Sequence, residues 1–275
     1  MLGIHNDHTR SSLRGLHCRP MATHTIDARV TDSEPRVRRA PARTSHTQEI
    51  ATVLIVVALL VGLNLVSKLT VLSGWVFTVP IGVGLILLVG RAMGITWKDI
   101  GLSRETLKKG LWYGAVAGVI VMVGVTIGLL LPITRPLFLD EGFASMRTAI
   151  LSAFVIIPLQ TVLPEELAFR GVLHGSLAKL GGLRATVIVG SSLFGLWHVT
   201  SSLDMAAGNQ GLTAILGQGT FAQLVGIGIA VVATSFAGLA FTWLRHRSES
   251  ILAPMGLHWA FNGCGALAAA FAFQM

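Results

Sequence analysis

Long apolar stretches fill residues 50–273 and leave little room for any other architecture. They run over 50–66, 75–89, 110–131, from Met146 into 163–170, 183–199, 221–244 and 251–273. Each approaches the roughly 20 residues that a helix needs to cross a bilayer. Lipid offers no partner to a bare backbone N–H or C=O, so such stretches fold as helices. The expected fold is all-α, a polytopic transmembrane helical bundle of about seven spans. Composition agrees: 12% of residues are charged and mean hydropathy is +0.70, against about 25% charged in a soluble domain.

The net charge of +8 is not spread as a nucleic-acid stripe. Residues 1–49 hold eight Arg and five acids without sustained apolar periodicity, and read as a disordered basic cytoplasmic tail ahead of a transmembrane domain over 50–275. The tail has no apolar core with a cleavage site, so it is not read as a signal peptide; Met21 is an alternative start. Lys and Arg recur at 91–109, at Lys179 and Arg184, and at Arg245 and Arg247. The intervening connections are poorer in them. That alternation puts the N-terminus in the cytoplasm and the C-terminus outside. The expected surroundings are the lipid bilayer of a cell membrane, with no nucleic acid. Ser103 reads as the cap of a surface helix leading toward 110. Gly110, Gly114 and Gly118 recur every four residues, as do Gly124 and Gly128, a spacing that lets helices approach closely. Cys18 and Cys264 suggest neither a disulfide nor a cysteine metal site.

Of the thirteen Asp and Glu, only Glu165 and Glu166 interrupt an apolar span. Ionisable groups at membrane depth are expensive and point to function. Glu166 and Arg170 are four apart in the favourable order for an ion pair. Glu165 lies about 100° round the helix and is left without a local partner. The plainer alternative is that both glutamates neutralise Arg170. Gly181–Gly182 reads as the turn of a helical hairpin. Glu165 and His198 are then each about 24 Å from that turn, at one level. His258 and Asn262 share a face on the last span and enter from the same side. A lone His or Asn in an apolar helix is often a packing residue, and His174 is read that way. The combination on three helices is what suggests a site.

Such residues suit hydrolysis. A carboxylate shielded from bulk water can act as a base toward a water molecule. A histidine can orient that water, and a second His with an Asn amide can donate to an oxyanion. Alternatively, Glu165, His198 and His258 could ligate a divalent metal such as zinc; no cofactor is favoured. Neither the H-E-x-x-H pattern nor a G-x-S-x-G elbow is present.

At these residues the chain resembles the CPBP family of intramembrane proteases, which includes type II CAAX prenyl endopeptidases and bacterial Abi proteins. The motif E-E-x-x-x-R stands as Glu165–Arg170, F-x-x-x-H as Phe194–His198, and H-x-x-x-N as His258–Asn262. The resemblance covers about 145–265 and implies an endopeptidase of hydrophobic or lipidated peptides. It implies that Glu165 and His198 activate water, that His258 and Asn262 sit at the oxyanion, and that Glu166 and Arg170 support the site. It leaves open a metal-dependent or a metal-free reaction. Two other readings keep the fold: a non-catalytic immunity or scaffold protein, and a proton-coupled transporter. The transporter would favour an inverted repeat, and none is evident.

Overall fold

The computed structural model describes residues 45–71, 76–203 and 208–275. The rest of the tail, with Cys18, lies outside them. Helix α1 is His46–Leu69, so it starts four residues inside the segment read as tail. Ser45 caps it, its hydroxyl accepting from the Gln48 N–H at 3.2 Å. Then follow α2 (Thr78–Ala92), the short α3 (Trp97–Ile100) and α4 (Leu107–Leu130). The surface cap expected at Ser103 is instead Thr96. Thr96 and Asp99 exchange two bonds, of 2.7 and 3.1 Å, in a capping box for α3. Residues from Leu107 onward run straight into α4.

A long helical run begins at Met146. It consists of α5 (Met146–Leu151), a π-helical stretch Ser152–Val162, α6 (Leu163–Glu166), a second π-helical stretch Leu167–Leu173, and α7 (His174–Trp197). Inside α7 the backbone leaves helical geometry at Gly181 and at Gly182, where φ is +62°. Only glycine takes that value freely, and the chain turns back there as the Gly-Gly pair suggested. A 3-10 turn, Thr200–Ser202, α8 (Gln210–Leu216) and α9 (Thr220–Ser248) follow. The chain closes with α10 (Leu252–Trp259), a third π-helical stretch Ala260–Cys264, and α11 (Gly265–Ala272).

The described residues are all-α apart from one isolated bridge between Asp140 and Asn209. Four helices among them are long and apolar enough to cross a membrane: His46–Ser67, Leu107–Leu130, the run Met146–Ser202, and Thr220–Ser248. Thr78–Ala92 is apolar but shorter, at 15 residues. Large apolar side chains such as Leu54, Leu88, Ile120 and Phe221 point outward, as lipid-facing helices require.

The most extensive helix pairings are α7 with α9 and α4 with α10. The second is close because both partners are small. A Cβ on Gly114 would stand 2.9 Å from the Leu252 carbonyl, and one on Gly256 2.9 Å from the Gly114 Cα. The four-residue glycine spacing thus marks a real contact at Gly110, Gly114 and Gly118, whereas Gly124 faces open space. One end of the bundle is tied by charges. Lys109 meets Glu249 at 3.1 Å and Lys179 meets Asp99 at 3.0 Å. Buried Arg245 donates to the carbonyls of Arg170 and Asp99, and Gly101 leaves it the room to do so. At the other end, Asn209 donates to the Leu137 carbonyl.

Candidate active site

Glu165 and Glu166 sit in one turn of α-helix held between two π-helical stretches. The wider π turn accommodates Pro158, which lacks an N–H and would crowd a tighter helix. Pro164 opens the short α segment, where a missing N–H costs little. This sequence of turns aims the two adjacent carboxylates inward, and both are buried.

Glu166 is fully enclosed. Its Oε1 accepts from Arg170 Nη1 at 3.1 Å and from His258 Nδ1 at 2.9 Å. The Arg170 guanidinium lies 3.8 Å from the centre of the Phe194 ring and 4.7 Å from that of Phe241. A cation that cannot be deprotonated is thus matched by one carboxylate and two π faces. The expected Glu166–Arg170 brace is present. The bond from His258 is an addition to it that residue spacing did not show.

Glu165 is held differently. Its Oε1 accepts from the indole Nε1 of Trp197 at 3.0 Å. Its Oε2 is buried without a hydrogen-bond partner among the described residues. The nearest basic atom is His258 Nε2, at 3.9 Å. A carboxylate can only accept, so the bond to Glu166 puts the His258 proton on Nδ1. In the neutral ring Nε2 then carries the lone pair. His258 also stacks on Phe241, with ring centres 5.0 Å apart.

His198 is half-buried and caps the end of α7. Its Nδ1 lies 2.8 Å from the Phe194 carbonyl, and its ring meets the Phe194 ring edge-on at 4.8 Å. The carbonyl can only accept, so here too a neutral ring leaves Nε2 unprotonated. Among the described residues, the histidine within 4 Å of Glu165 is His258, not His198. Asn262 is half-buried in the π-helical stretch Ala260–Cys264. The wider turn shifts it relative to His258 from the alignment an α-helix would give, and its amide makes no hydrogen bond among the described residues. Phe194, shared by Arg170, His198 and His258, is the packing centre of the group. The Ser191 hydroxyl is buried and has no hydrogen-bond partner among the described residues, so no base there is bonded to it.

Residues 147–264 match a family model described as Type II CAAX prenyl endopeptidase Rce1-like. The chain carries a domain of this CPBP family. The match includes every candidate site residue and excludes α1, α2 and α4. No curated protein and no solved structure matches the chain.

A metal was one expectation for such a domain. Among the described residues, no three His, Cys, Asp or Glu side chains are gathered closely enough to hold one. Of the two histidines in that set, His258 comes within 4 Å of Glu165, at 3.9 Å, and His198 does not. The residues as arranged do not form a metal site, and the reaction proposed below has no step through one.

Two contributors escaped the sequence reading. Trp197 falls within the apolar stretch 183–199, yet its N–H holds Glu165. Asn64, on α1, donates to the Trp197 carbonyl at 2.9 Å and accepts from the Thr200 hydroxyl at 3.0 Å. A polar amide inside the first apolar span was the available signal.

Proposed function

We propose that the CPBP domain is an intramembrane endopeptidase. The observation that carries this reading is the Glu165–His258–Glu166 arrangement. One carboxylate fixes the imidazole, and the other faces its free nitrogen in a buried site. At 3.9 Å apart, Glu165 Oε2 and His258 Nε2 can both reach a single oxygen atom placed beside them.

Glu165 takes a proton from water as the water oxygen bonds to the scissile carbonyl carbon. The carbonyl π electrons move onto its oxygen. The oxyanion is met by the amide N–H of Asn262, while the lone pair on His258 Nε2 accepts from the second O–H of the attacking water and holds that water beside Glu165. The bond from His258 Nδ1–H to Glu166 offsets the partial positive charge that develops on the ring as Nε2 accepts from that water. Collapse re-forms the carbonyl and breaks the C–N bond, and the proton held by Glu165 passes to the leaving amine. Preorganised donors in a site poor in water account for the stabilisation of developing charge.

In this reading the transmembrane domain spans about 50–275, crosses about seven times, and keeps its N-terminus in the cytoplasm. The basic end near Arg245 and Lys179 faces the cytoplasm. Substrates are membrane-embedded or lipidated peptides. Among them, peptides ending in a prenylated C-a-a-X sequence are the class suggested by the family description.

The test compares peptide termini in membranes of cells carrying the wild type with those carrying Glu165→Ala at equal abundance. The reading expects a set of new termini in wild-type cells only. Identical termini in both strains sink it.

A further inference from the structure

Two polar bonds from residues that the three motifs leave unspecified fix how Glu165 is presented. The two oxygens of a free carboxylate are equivalent, and rotation exchanges them. The Trp197 N–H, 3.0 Å from Oε1, removes that equivalence and leaves Oε2 as the oxygen toward His258. Trp197 packs against the edge of the main core, where Phe169 meets it edge-on at 5.6 Å. Both rings also line a cavity of about 230 Å³ between α1 and α7, with Leu60, Asn64 and Thr200 among its other walls.

The main chain at residue 197 is held from α1. Trp197 ends α7, where helix carbonyls lack intrahelical donors. The Asn64 amide supplies one at 2.9 Å. A carbonyl only accepts, so the NH₂ of Asn64 faces Trp197 and its oxygen receives the Thr200 hydroxyl. One side chain thereby clamps both sides of the bend that follows α7. Asn64 lies outside residues 147–264.

We propose that Trp197 and Asn64 are positioning residues for Glu165: the indole selects which carboxylate oxygen faces His258, and the Asn64 amide fixes the indole from α1. The inference rests on the endopeptidase reading for its effect on catalysis, but not for the bond itself. It gives α1, which lies outside the family match, a part in the site. A merely structural role for either residue would lower stability and leave turnover per folded molecule unchanged.

The test uses the full chain in lipid nanodiscs, with Trp197→Phe, which removes only the N–H donor and some area, and Asn64→Leu, which keeps the volume. Turnover is read on a quenched-fluorescent peptide ending in a farnesylated C-a-a-X sequence. Both variants are expected to lower kcat by about tenfold or more with KM little changed, because an orientation needed in the transition state is lost. In parallel, the six tryptophans are labelled with 15N in the indole. The resonance that disappears in Trp197→Phe is expected to move in both Glu165→Ala and Asn64→Leu. Wild-type kcat in Trp197→Phe overturns the proposal, as does a Trp197 resonance that ignores Asn64→Leu. A wild type that leaves the peptide uncut removes that peptide from the substrate class, and the resonance then decides the positioning claim by itself.

Discussion

His258 and Glu166, 92 residues apart in the chain, share a buried hydrogen bond of 2.9 Å. The same oxygen of Glu166 receives Arg170 at 3.1 Å. Glu166 is therefore both the counter-ion of a buried guanidinium and the anchor of the histidine that faces Glu165. Removing it should do two kinds of damage. Glu166→Ala is expected to cost about 3–5 kcal/mol by stranding Arg170, and to lower cleavage in the molecules that remain folded. Adding Arg170→Leu should restore part of the stability but not the activity. Unfolding in detergent, followed for the single and double variants, checks this. A Glu166→Ala protein as stable as wild type contradicts the brace.

The two nitrogens of His258 can be separated. An Asn at 258 offers an amide N–H near the Nδ1 position and has nothing at Nε2. His258→Asn is expected to keep most of the stability and to lose cleavage by about 10²-fold or more, the scale of an acid–base group. Equal loss of stability in His258→Asn and His258→Ala would show that the Glu166 bond is not being replaced.

Close packing sets the height of α10 and so the position of His258. Gly256→Ala places a methyl 2.9 Å from the Gly114 Cα, against backbone that cannot move aside cheaply. A cost of about 1–3 kcal/mol is expected, with reduced activity. Gly124→Ala, in α4 with nothing within 4 Å of the added methyl, should be silent. Melting temperatures of the two variants in parallel test the contrast.

Asp99 links α3 to Lys179 at the charged end of the bundle. Partial burial pushes its carboxyl up, but the Thr96 backbone N–H, the Lys179 ammonium and the Thr96 hydroxyl outweigh this and hold it below 3.8. With the folded value below the unfolded one, its contribution is fully present above about pH 4 and is lost as pH falls through the folded value. The wild type should therefore lose melting temperature more steeply than Asp99→Asn between about pH 5 and pH 3. The difference should be modest, about 1 kcal/mol at most for a partly exposed pair. Parallel slopes would remove Asp99 from the account of acid stability.

Much of this was legible beforehand because it depends on chain-local spacing. Glu166 and Arg170 meet because four residues make a turn, and Gly181–Gly182 turn because glycine alone takes a positive φ without strain. The partnership of His258 with Glu166 was not legible. Residue spacing places a histidine at a depth but does not rotate it toward one of two adjacent acids. The π-helical stretches were hidden for a related reason: an apolar pattern does not distinguish i→i+4 from i→i+5 bonding over a few residues. They shift Asn262 relative to His258. Trp197 was overlooked because an indole reads as apolar area, although its N–H needs an acceptor when buried.

Metal removal bears on the three residues that could have formed a ligand set. Among the described residues they are not gathered as a metal-holding group, so dialysis against a chelator is expected to leave cleavage unchanged. Loss of activity restored by one equivalent of zinc would mean that His198 joins Glu165 and His258 during turnover.

The central claim is that Glu165 activates water for peptide-bond cleavage. The direct measurement is cleavage by purified wild type and Glu165→Gln in lipid nanodiscs, in H₂18O, on a substrate identified from the comparison of cellular termini. The account predicts that the wild type incorporates 18O at the new C-terminal carboxylate, while the Gln variant melts like wild type and leaves the peptide intact. Cleavage by Glu165→Gln at the wild-type rate would contradict it.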